Sequence, residues 1–269
     1  MLRARFLTAV FAGAGALLVL FLAMPLVAMV ASERPATLWD ALAERDARSA
    51  VLVSAGAAAV STALALVLGV PMGYVLARRE FPGKAAIQAL VDMPVVVPHL
   101  VAGIALLTVL GPQGVVGGPA GAVGLRFVDA LPGTVAAMLF VSAPLVVNAA
   151  RHGFEAVNPR LEQVSRSLGA SPLQTFLRVS MPLAKGPIVS GAVISWARAV
   201  SEFGAVLVIA YYPRVAPTLI YERYTGFGLR SARPIALCLL LICLSLFALV
   251  RLLVRRSPGA GGVQGRAQC

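Results

Sequence analysis

The sequence predicts an all-α integral membrane protein with six transmembrane helices, and three observations lead to this fold class. Of the 269 residues, 59% are hydrophobic and 13% are charged, and the mean hydropathy is +0.88. A soluble domain of average composition carries about 25% charged residues. The apolar residues are gathered in runs of a length that crosses a bilayer, for which a helix needs about 20 residues. The Lys and Arg residues lie mainly between these runs.

Six apolar runs are predicted to span the membrane, and they form a single transmembrane domain covering residues 1–256. The first run is longer than the roughly 7–15 apolar residues of a signal peptide, so we interpret it as a membrane anchor. The predicted spans are 6–31, 49–77, 85–110, 133–150, 187–210 and 234–250. The tail at 257–269 is rich in glycine and polar residues, and we expect it to be disordered.

The distribution of positive charge predicts the orientation of the chain. Six spans place both termini on one side of the membrane, together with the loops after the second and fourth spans. That side holds fourteen of the 23 Lys and Arg residues, and the other side holds eight. Because positive residues favour the cytoplasm, we expect both termini and the coupling loop, defined as residues 152–186, to be cytoplasmic. The net charge of +12 then follows from topology in the cell membrane and needs no nucleic-acid partner.

Two segments on the other side of the membrane have distinct compositions. Thr37–Arg48 reads as a short interfacial helix with Thr37 as its N-cap. Gly111–Gly124 is so rich in glycine and proline that we expect a loop or a re-entrant segment without helix.

Helix-start and helix-stop signals divide the coupling loop. Ser171 and Gln174 have the spacing of a capping box, and Pro172 between them occupies the first helical position. A helix should therefore begin at Pro172, and Pro182 should either end it or mark a bend soon after Met181, which gives a helix of about ten residues. The preceding segment, Phe154–Leu168, has helical character, and Gly169 is placed to end it in a left-handed conformation.

This pattern resembles the EAA loop of ABC importer permeases, in which E-A-A is followed by a glycine and, later, by an I-x-L-P ending. Gln163-Val164-Ser165 occupies the E-A-A positions, and Gly169 occupies the glycine position. Val179-Ser180-Met181-Pro182 matches the ending. The departure is Gln163, which replaces the glutamate of the family and directly follows Glu162.

The resemblance extends over essentially the whole chain and implies a type I ABC importer permease fold with a cytoplasmic coupling helix. That helix would seat in a groove of a separate ATPase subunit, where Leu173 and Phe176 anchor it and Arg178 supplies a charge at the rim. The residues expected to couple the chain to the ATPase are Glu162, Gln163, Gly169, Ser171, Pro172, Leu173, Thr175, Phe176, Arg178 and Pro182.

Several polar residues and prolines lie inside the predicted spans. Arg198 and Glu202 are four residues apart and share one face of span five. A charge in a bilayer must be paired or face water, so this face either orients the span through an ion pair or lines the translocation path. Prolines should bend span three, and His99 is interpreted as a packing residue. The candidate path or gate residues are Asp92, Pro94, Pro98, Ser195, Arg198, Ser201, Glu202 and Gly204.

Two passages indicate the substrate through a second resemblance. Val91–Leu107 and Ser201–Ala236 are similar to permeases of molybdate/tungstate ABC importers. The run Ser201–Ala205 is shared more widely, including with sulfate permeases. The expected function is therefore the permease of a molybdate or tungstate importer. A sulfate/thiosulfate-type ABC permease and an ion-coupled secondary transporter remain as alternatives.

The expected energy source lies outside this chain. Neither lysine stands in a G-x-x-x-x-G-K-[ST] motif, so we expect no ATPase site, no catalytic residue and no cofactor in this subunit. The spacing of His, Cys, Asp and Glu also predicts no metal site. The resemblance implies three protein partners: a second copy of the chain, a cytoplasmic ATPase dimer that binds ATP and Mg²⁺, and an external oxyanion-binding protein.

Overall fold

In a computed structural model, which describes residues 2–255, the chain is built of α-helices and one π-helical turn, without a β-strand in that range. The predicted all-α fold is thus confirmed, while the predicted disordered tail at 257–269 lies outside the described residues. The helices are α1 (Leu2–Ala31), α2 (Pro35–Ala43), α3 (Arg45–Arg78), α4 (Lys84–Val96), α5 (His99–Leu110), α6 (Gly117–Ala122), α7 (Leu131–Glu155), α8 (Pro159–Ser167), α9 (Pro172–Thr175), the π-turn (Phe176–Ser180), α10 (Met181–Val200), α11 (Gly204–Ile209), α12 (Ala216–Phe227) and α13 (Leu229–Arg255).

Three helices in the described range are long and apolar enough to cross a membrane by themselves. They are α3, α7 and the segment Val10–Ala31 of α1. The bent pair of α4 and α5 makes a fourth if it is counted as one span. The predicted number of six spans therefore stays a prediction.

Span three was predicted over 85–110 with a bend at its prolines, and the bend in the structure is sharp enough to divide the span into two helices. It is broken into α4 and α5, whose axes differ by 117°. Val97 between them is extended, with φ −68° and ψ 128°, and Pro98 precedes the first residue of α5. Because a residue before proline is driven away from the helical conformation, the sequence Val97-Pro98 ends α4 and allows the chain to turn.

Span five also differs from its predicted range of 187–210. Helix α10 begins earlier, at Met181, and ends at Val200, and the short helix α11 follows after a break at residues 201–203. Helix α12 was not predicted at all, and α13 begins five residues before the expected start of span six. Helix α12 was missed because many of its residues are polar, although Leu219 on its inner face is apolar and buried.

The two outer segments depart from their predictions at the level of local structure. Helix α2 begins at Pro35, so Thr37 is not its N-cap; its hydroxyl instead donates to the carbonyl oxygen of Arg34 at 2.7 Å. The glycine-rich segment predicted to lack helix contains α6. Backbone bonds such as Gly118 N–H to Gly114 O, at 3.0 Å, close that turn despite its low helix propensity.

Small residues bring α3, α7 and α10 into close contact, and this three-helix core holds the functional elements in place. A Cβ added to Gly73 would lie 2.7 Å from Ala150 Cβ, and one added to Gly191 would lie 2.3 Å from Ala149 Cβ. Ser195 donates to the carbonyl oxygen of Ser142 at 3.2 Å, which ties α10 to α7. Helix pairs in membranes depend on such small residues, because close backbone approach supplies the packing contacts.

Candidate coupling loop and translocation site

The start of the short helix in the coupling loop matches its prediction. Ser171 Oγ accepts the N–H of Gln174 at 3.2 Å, and Gln174 Oε1 accepts the N–H of Ser171 at 2.9 Å. Before it, Gly169 has φ +88°, and Ala170 N–H donates to Ser165 O at 3.2 Å. This glycine-based C-cap and the capping box leave only a tight turn between α8 and α9.

The end of that helix was predicted wrongly. Pro182 does not end it, because the chain winds on through the π-turn into α10, with Met181 N–H donating to Phe176 O. Pro182 stands in the first turn of α10, directly after the π-turn. The predicted helix Phe154–Leu168 is likewise divided, with α7 ending at Glu155 and α8 beginning at Pro159. The coupling loop is therefore continuous with α10.

Glu162 is the centre of a buried polar cluster that joins the coupling loop to α3. Its carboxylate accepts from Arg78 Nε at 2.8 Å, from Ser180 Oγ at 2.8 Å and from Tyr74 OH at 3.1 Å. Arg78 also donates through Nη2 to Val157 O at 2.8 Å. These bonds connect α3, α8 and the π-turn through one side chain.

Burial alone would raise the pKa of Glu162, since a carboxylate loses its hydration there. The hydrogen bonds from Arg78, Ser180 and Tyr74, together with the charge of Arg78, outweigh this effect and hold the pKa of Glu162 below its ordinary value. The carboxylate is therefore ionised at neutral pH and forms a true ion pair with Arg78.

The structure divides the predicted coupling residues into an inner and an outer group. Phe176 points inward, where its ring centroid lies 5.0 Å from that of Tyr74 and 5.8 Å from that of Phe154. The expectation that Phe176 anchors in a groove of the ATPase therefore does not fit its position. The inner group is Glu162, Thr175 and Phe176, and the exposed group is Gln163, Gly169, Ser171, Pro172, Leu173, Arg178 and Pro182.

Sequence reasoning missed the residues of α3 in this cluster. Arg78 was counted only among the positive charges that predict the orientation of the chain, and Tyr74 was not singled out. Arg78 is the last residue of α3, and a positive residue at the end of a span could have predicted a contact with a neighbouring loop. The structure also shows Leu177 exposed beside Leu173, so the outer apolar surface of the coupling loop includes both leucines.

A second polar site forms where the break between α4 and α5 meets the break between α10 and α11. Glu202 Oε2 lies 2.9 Å from Arg198 Nη2 and 3.3 Å from His99 Nδ1, and Oε1 accepts the N–H of Ala205 at 2.9 Å. This close contact requires glycine at position 204, because a Cβ added to Gly204 would lie 2.7 Å from His99 Cβ. The predicted ion pair of span five is present, and His99 joins it from the other broken helix.

A cavity of about 720 Å³ opens at this second site. Its walls carry His99, Arg198 and Glu202, and Tyr221 closes one side against Phe203, with ring centroids 5.1 Å apart. The other predicted path residues at this cavity are Pro98, Ser201 and Gly204.

Three predicted path residues lie elsewhere. Asp92 accepts a hydrogen bond from Asn148 Nδ2 at 2.6 Å, which ties α4 to α7. Pro94 is buried along an apolar groove between α3, α4 and α7. Ser195 is buried in the three-helix core. Polarity or proline chemistry led to the prediction that these three residues line the path. The 117° break between α4 and α5 separates Asp92 and Pro94 from the cavity, and Ser195 faces α7 instead.

Comparison with known proteins places this geometry in a family. Residues 69–257 match the model of the binding-protein-dependent transport system inner membrane component. The molybdate/tungstate transport system permease protein of Pyrococcus furiosus is 44% identical over 96% of this chain and 99% of its own length. A probable sulfate transport system permease protein of Nephroselmis olivacea is 35% identical over 74% of this chain and 72% of its own length.

A solved structure supports the fold independently. A chain of a bacterial ABC transporter involved in the import of alginate superposes with a TM-score of 0.70, covering 95% of this chain and 97% of that one at 20% identity. The architecture is thus that of an ABC importer permease, in agreement with the fold class predicted from the coupling loop. The match over residues 69–257 and the near full-length similarity show that this multi-pass membrane protein belongs to the family of binding-protein-dependent transport system inner membrane components.

Proposed function

We propose that this chain is the permease subunit of an ATP-driven importer for molybdate and tungstate. The observation that carries the proposal is the similarity to the Pyrococcus furiosus permease, which extends over almost the full length of both chains. The relative named for sulfate transport is less similar and is matched over a shorter part of the chain. Molybdate is therefore preferred over sulfate as the substrate.

The assembly that fits this function contains two copies of the chain around one pore. A cytoplasmic ATPase dimer binds ATP and Mg²⁺, and an oxyanion-binding protein delivers the substrate from outside. The excess of positive residues on one predicted side of the membrane supports a cytoplasmic location for both termini and the coupling loop. This chain supplies the path for the anion and performs no covalent chemistry.

The coupling loop offers the ATPase an apolar surface with an adjacent charge. Leu173 is 66% exposed and Leu177 is 55% exposed, and Arg178 lies next to them in the π-turn. Exposed leucines without a partner favour docking in an apolar groove, while the rim charge adds specificity. Because α9 is fixed by its capping box, it moves as a stiff unit with the ATPase.

Movement of the docked loop would reach the membrane by two connections. The π-turn continues into α10, so a displacement of α9 is carried along the helix that ends beside Arg198 and Glu202. The ion pair of Glu162 with Arg78 carries the same displacement to α3. ATP binding by the partner would thus favour an outward-open state, and hydrolysis would return the permease to the inward-open state.

The test is transport by the reconstituted complex. The permease is purified with its ATPase, placed in proteoliposomes that contain ATP, and supplied with binding protein loaded with molybdate, tungstate or sulfate. We expect ATP-dependent uptake of molybdate and tungstate that exceeds uptake of sulfate at equal concentration. Uptake without ATP, or a preference for sulfate, would contradict the proposal.

A further inference from the structure

We propose that His99 and Arg198 form a low-affinity contact site for the permeating oxyanion, in the cavity where the two helix breaks meet. The inference rests on the proposed function, since it assigns the point inside the protein at which a tetrahedral dianion meets positive charge. It also gives His99 a role in place of the packing role expected from the sequence.

The first observation is that His99 and Arg198 are exposed at the cavity, whereas Glu202, which also lines it, is almost fully buried. The side chains of His99 and Arg198 are 49% and 28% exposed, whereas that of Glu202 is 1% exposed. An anion in the cavity therefore meets imidazole and guanidinium groups before it meets the carboxylate. Guanidinium is suited to this contact because its planar set of N–H donors matches the spacing of two oxygens in an oxyanion.

The second observation is the arrangement of Arg198 itself. Its contacts with Glu202 and with both ring nitrogens of His99 are made through Nη2, at 2.9 to 3.1 Å. Within the described residues, Nε and Nη1 of Arg198 make no hydrogen bond, so these donors stay available to a ligand. The guanidinium group of Arg198 is thus held through Nη2, while its Nε and Nη1 donors are free to bind a ligand.

The third observation is that the first turn of α5 lies on the cavity wall. Pro98, His99 and Leu100 all line the cavity, and no side chain caps the start of α5. The free N–H groups of a helix start, together with its dipole, favour an anion. This turn adds backbone donors beside His99, so Arg198 and the backbone act on the same space.

Glu202 limits the affinity of the site and positions its donors. Its buried carboxylate neutralises Arg198, so the anion meets a weakly attractive site in place of an uncompensated charge. A conduction path requires this balance, because a substrate that binds tightly inside the protein does not leave. The same carboxylate lies between α5 and α10 and holds His99 and Arg198 side by side.

The first test uses the complete complex in proteoliposomes, with saturating binding protein loaded with molybdate. For His99→Gln and Arg198→Gln we expect the number of anions imported per ATP hydrolysed to fall about tenfold, as for loss of a hydrogen bond to a charged group. Arg198→Lys should recover part of the loss. The matched control is Arg230→Gln, which removes an exposed positive charge from α13 and should transport like wild type.

The second test measures anion access directly. Cys238, Cys243 and Cys269 are replaced by alanine, His99→Cys is introduced, and the complex is treated with an anionic or a cationic thiol reagent of similar size. We expect faster reaction with the anionic reagent, and slower reaction when free tungstate is added. Arg198→Gln in the same background should remove both effects.

The outcomes separate this inference from the proposed function. If wild type imports molybdate while the His99 and Arg198 variants keep the wild-type ratio of transport to hydrolysis, the contact site is wrong and the function stands. Absence of protection by tungstate at position 99 would also overturn it. If wild type imports neither molybdate nor tungstate, the proposed function itself has failed.

Discussion

Glu162 and Arg78 form a buried ion pair of 2.8 Å that joins the coupling loop to the last residue of α3. The side chains are 8% and 10% exposed, so both charges are removed from water. Each charge also has neutral hydrogen-bond partners, which is the condition for stable burial of an ion pair. The pair therefore fixes the coupling loop against the helix core while α9 stays exposed for docking.

Breaking this pair should destabilise the permease and weaken coupling. In Glu162→Gln, Arg78 is left buried without its counter-charge, and we expect a loss of about 3–5 kcal/mol in the free energy of unfolding. The measurement is unfolding of the detergent-solubilised protein in SDS, combined with ATPase stimulation by loaded binding protein. Glu155→Gln is the control, because the Glu155 side chain is 47% exposed and its contact with Arg151 is long, at 3.9 Å, so a change below about 0.5 kcal/mol is expected. Equal effects of the two variants would contradict the role of Glu162.

The stabilisation by Glu162 should depend on pH. Its folded-state pKa lies below the ordinary value of 4.5, so the stabilisation is fully present above pH 4.5 and is lost as pH falls through the folded-state pKa. The difference in unfolding free energy between wild type and Glu162→Gln should be constant from pH 7 to 5 and then decrease. A difference that grows as the pH is lowered would show that the sign of the shift is wrong.

Leu173 should matter for assembly with the ATPase and not for folding of the permease. A substitution Leu173→Ser removes an exposed anchor, so we expect less ATPase to co-purify while the permease unfolds as wild type does. Leu229→Ser is the matched control, since Leu229 is 55% exposed at the start of α13, on the predicted outer side. Loss of the ATPase in the control, or full retention with Leu173→Ser, would exclude this surface for docking.

Alanine substitutions at two glycines with open surroundings should change the free energy of unfolding in opposite directions. Neither Gly169 nor Gly186 has a neighbour within 4 Å of an added Cβ, but Gly169 has φ +88° and Gly186 is inside α10. Gly169→Ala should destabilise by about 1–2 kcal/mol, because an L side chain is strained there. Gly186→Ala should stabilise by about 0.5–1 kcal/mol through helix propensity. Unfolding in SDS measures both, and a stabilising Gly169→Ala would contradict the C-cap.

Gly204→Ala should push α11 away from α5. Its Cβ would lie 2.7 Å from His99 Cβ and 3.3 Å from the backbone of His99, so α5 and α11 must move apart. We expect a destabilisation of about 1–3 kcal/mol and reduced transport at unchanged ATPase binding. Gly56→Ala is the control, because nothing lies within 4 Å of its added Cβ in α3. Transport by Gly204→Ala at the wild-type rate would show that the close contact is not required.

Features set by a few neighbouring residues could be predicted from the sequence. The capping box of Ser171 and Gln174 and the left-handed Gly169 depend on spacing and backbone conformation alone, and both are present. The apolar runs of α1, α3 and α7 were found for the same reason, since each is a continuous property of its own segment. The end of the helix at Pro182 was not predictable, because the π-turn before it is held by Ser180 on Glu162 and Phe176 on Tyr74.

The sequence by itself determined that the chain is an α-helical membrane protein with a basic, capped coupling loop and an ion pair available on span five. Only the tertiary structure decided what these groups contact. It brought His99 to Arg198, across 99 positions of the chain, and placed Arg78 of α3 on Glu162 instead of leaving it at the membrane surface. The reason is physical: hydrophobic runs and caps are local, whereas the partner of a buried charge is chosen by helix packing, which depends on breaks and small residues far apart in the chain.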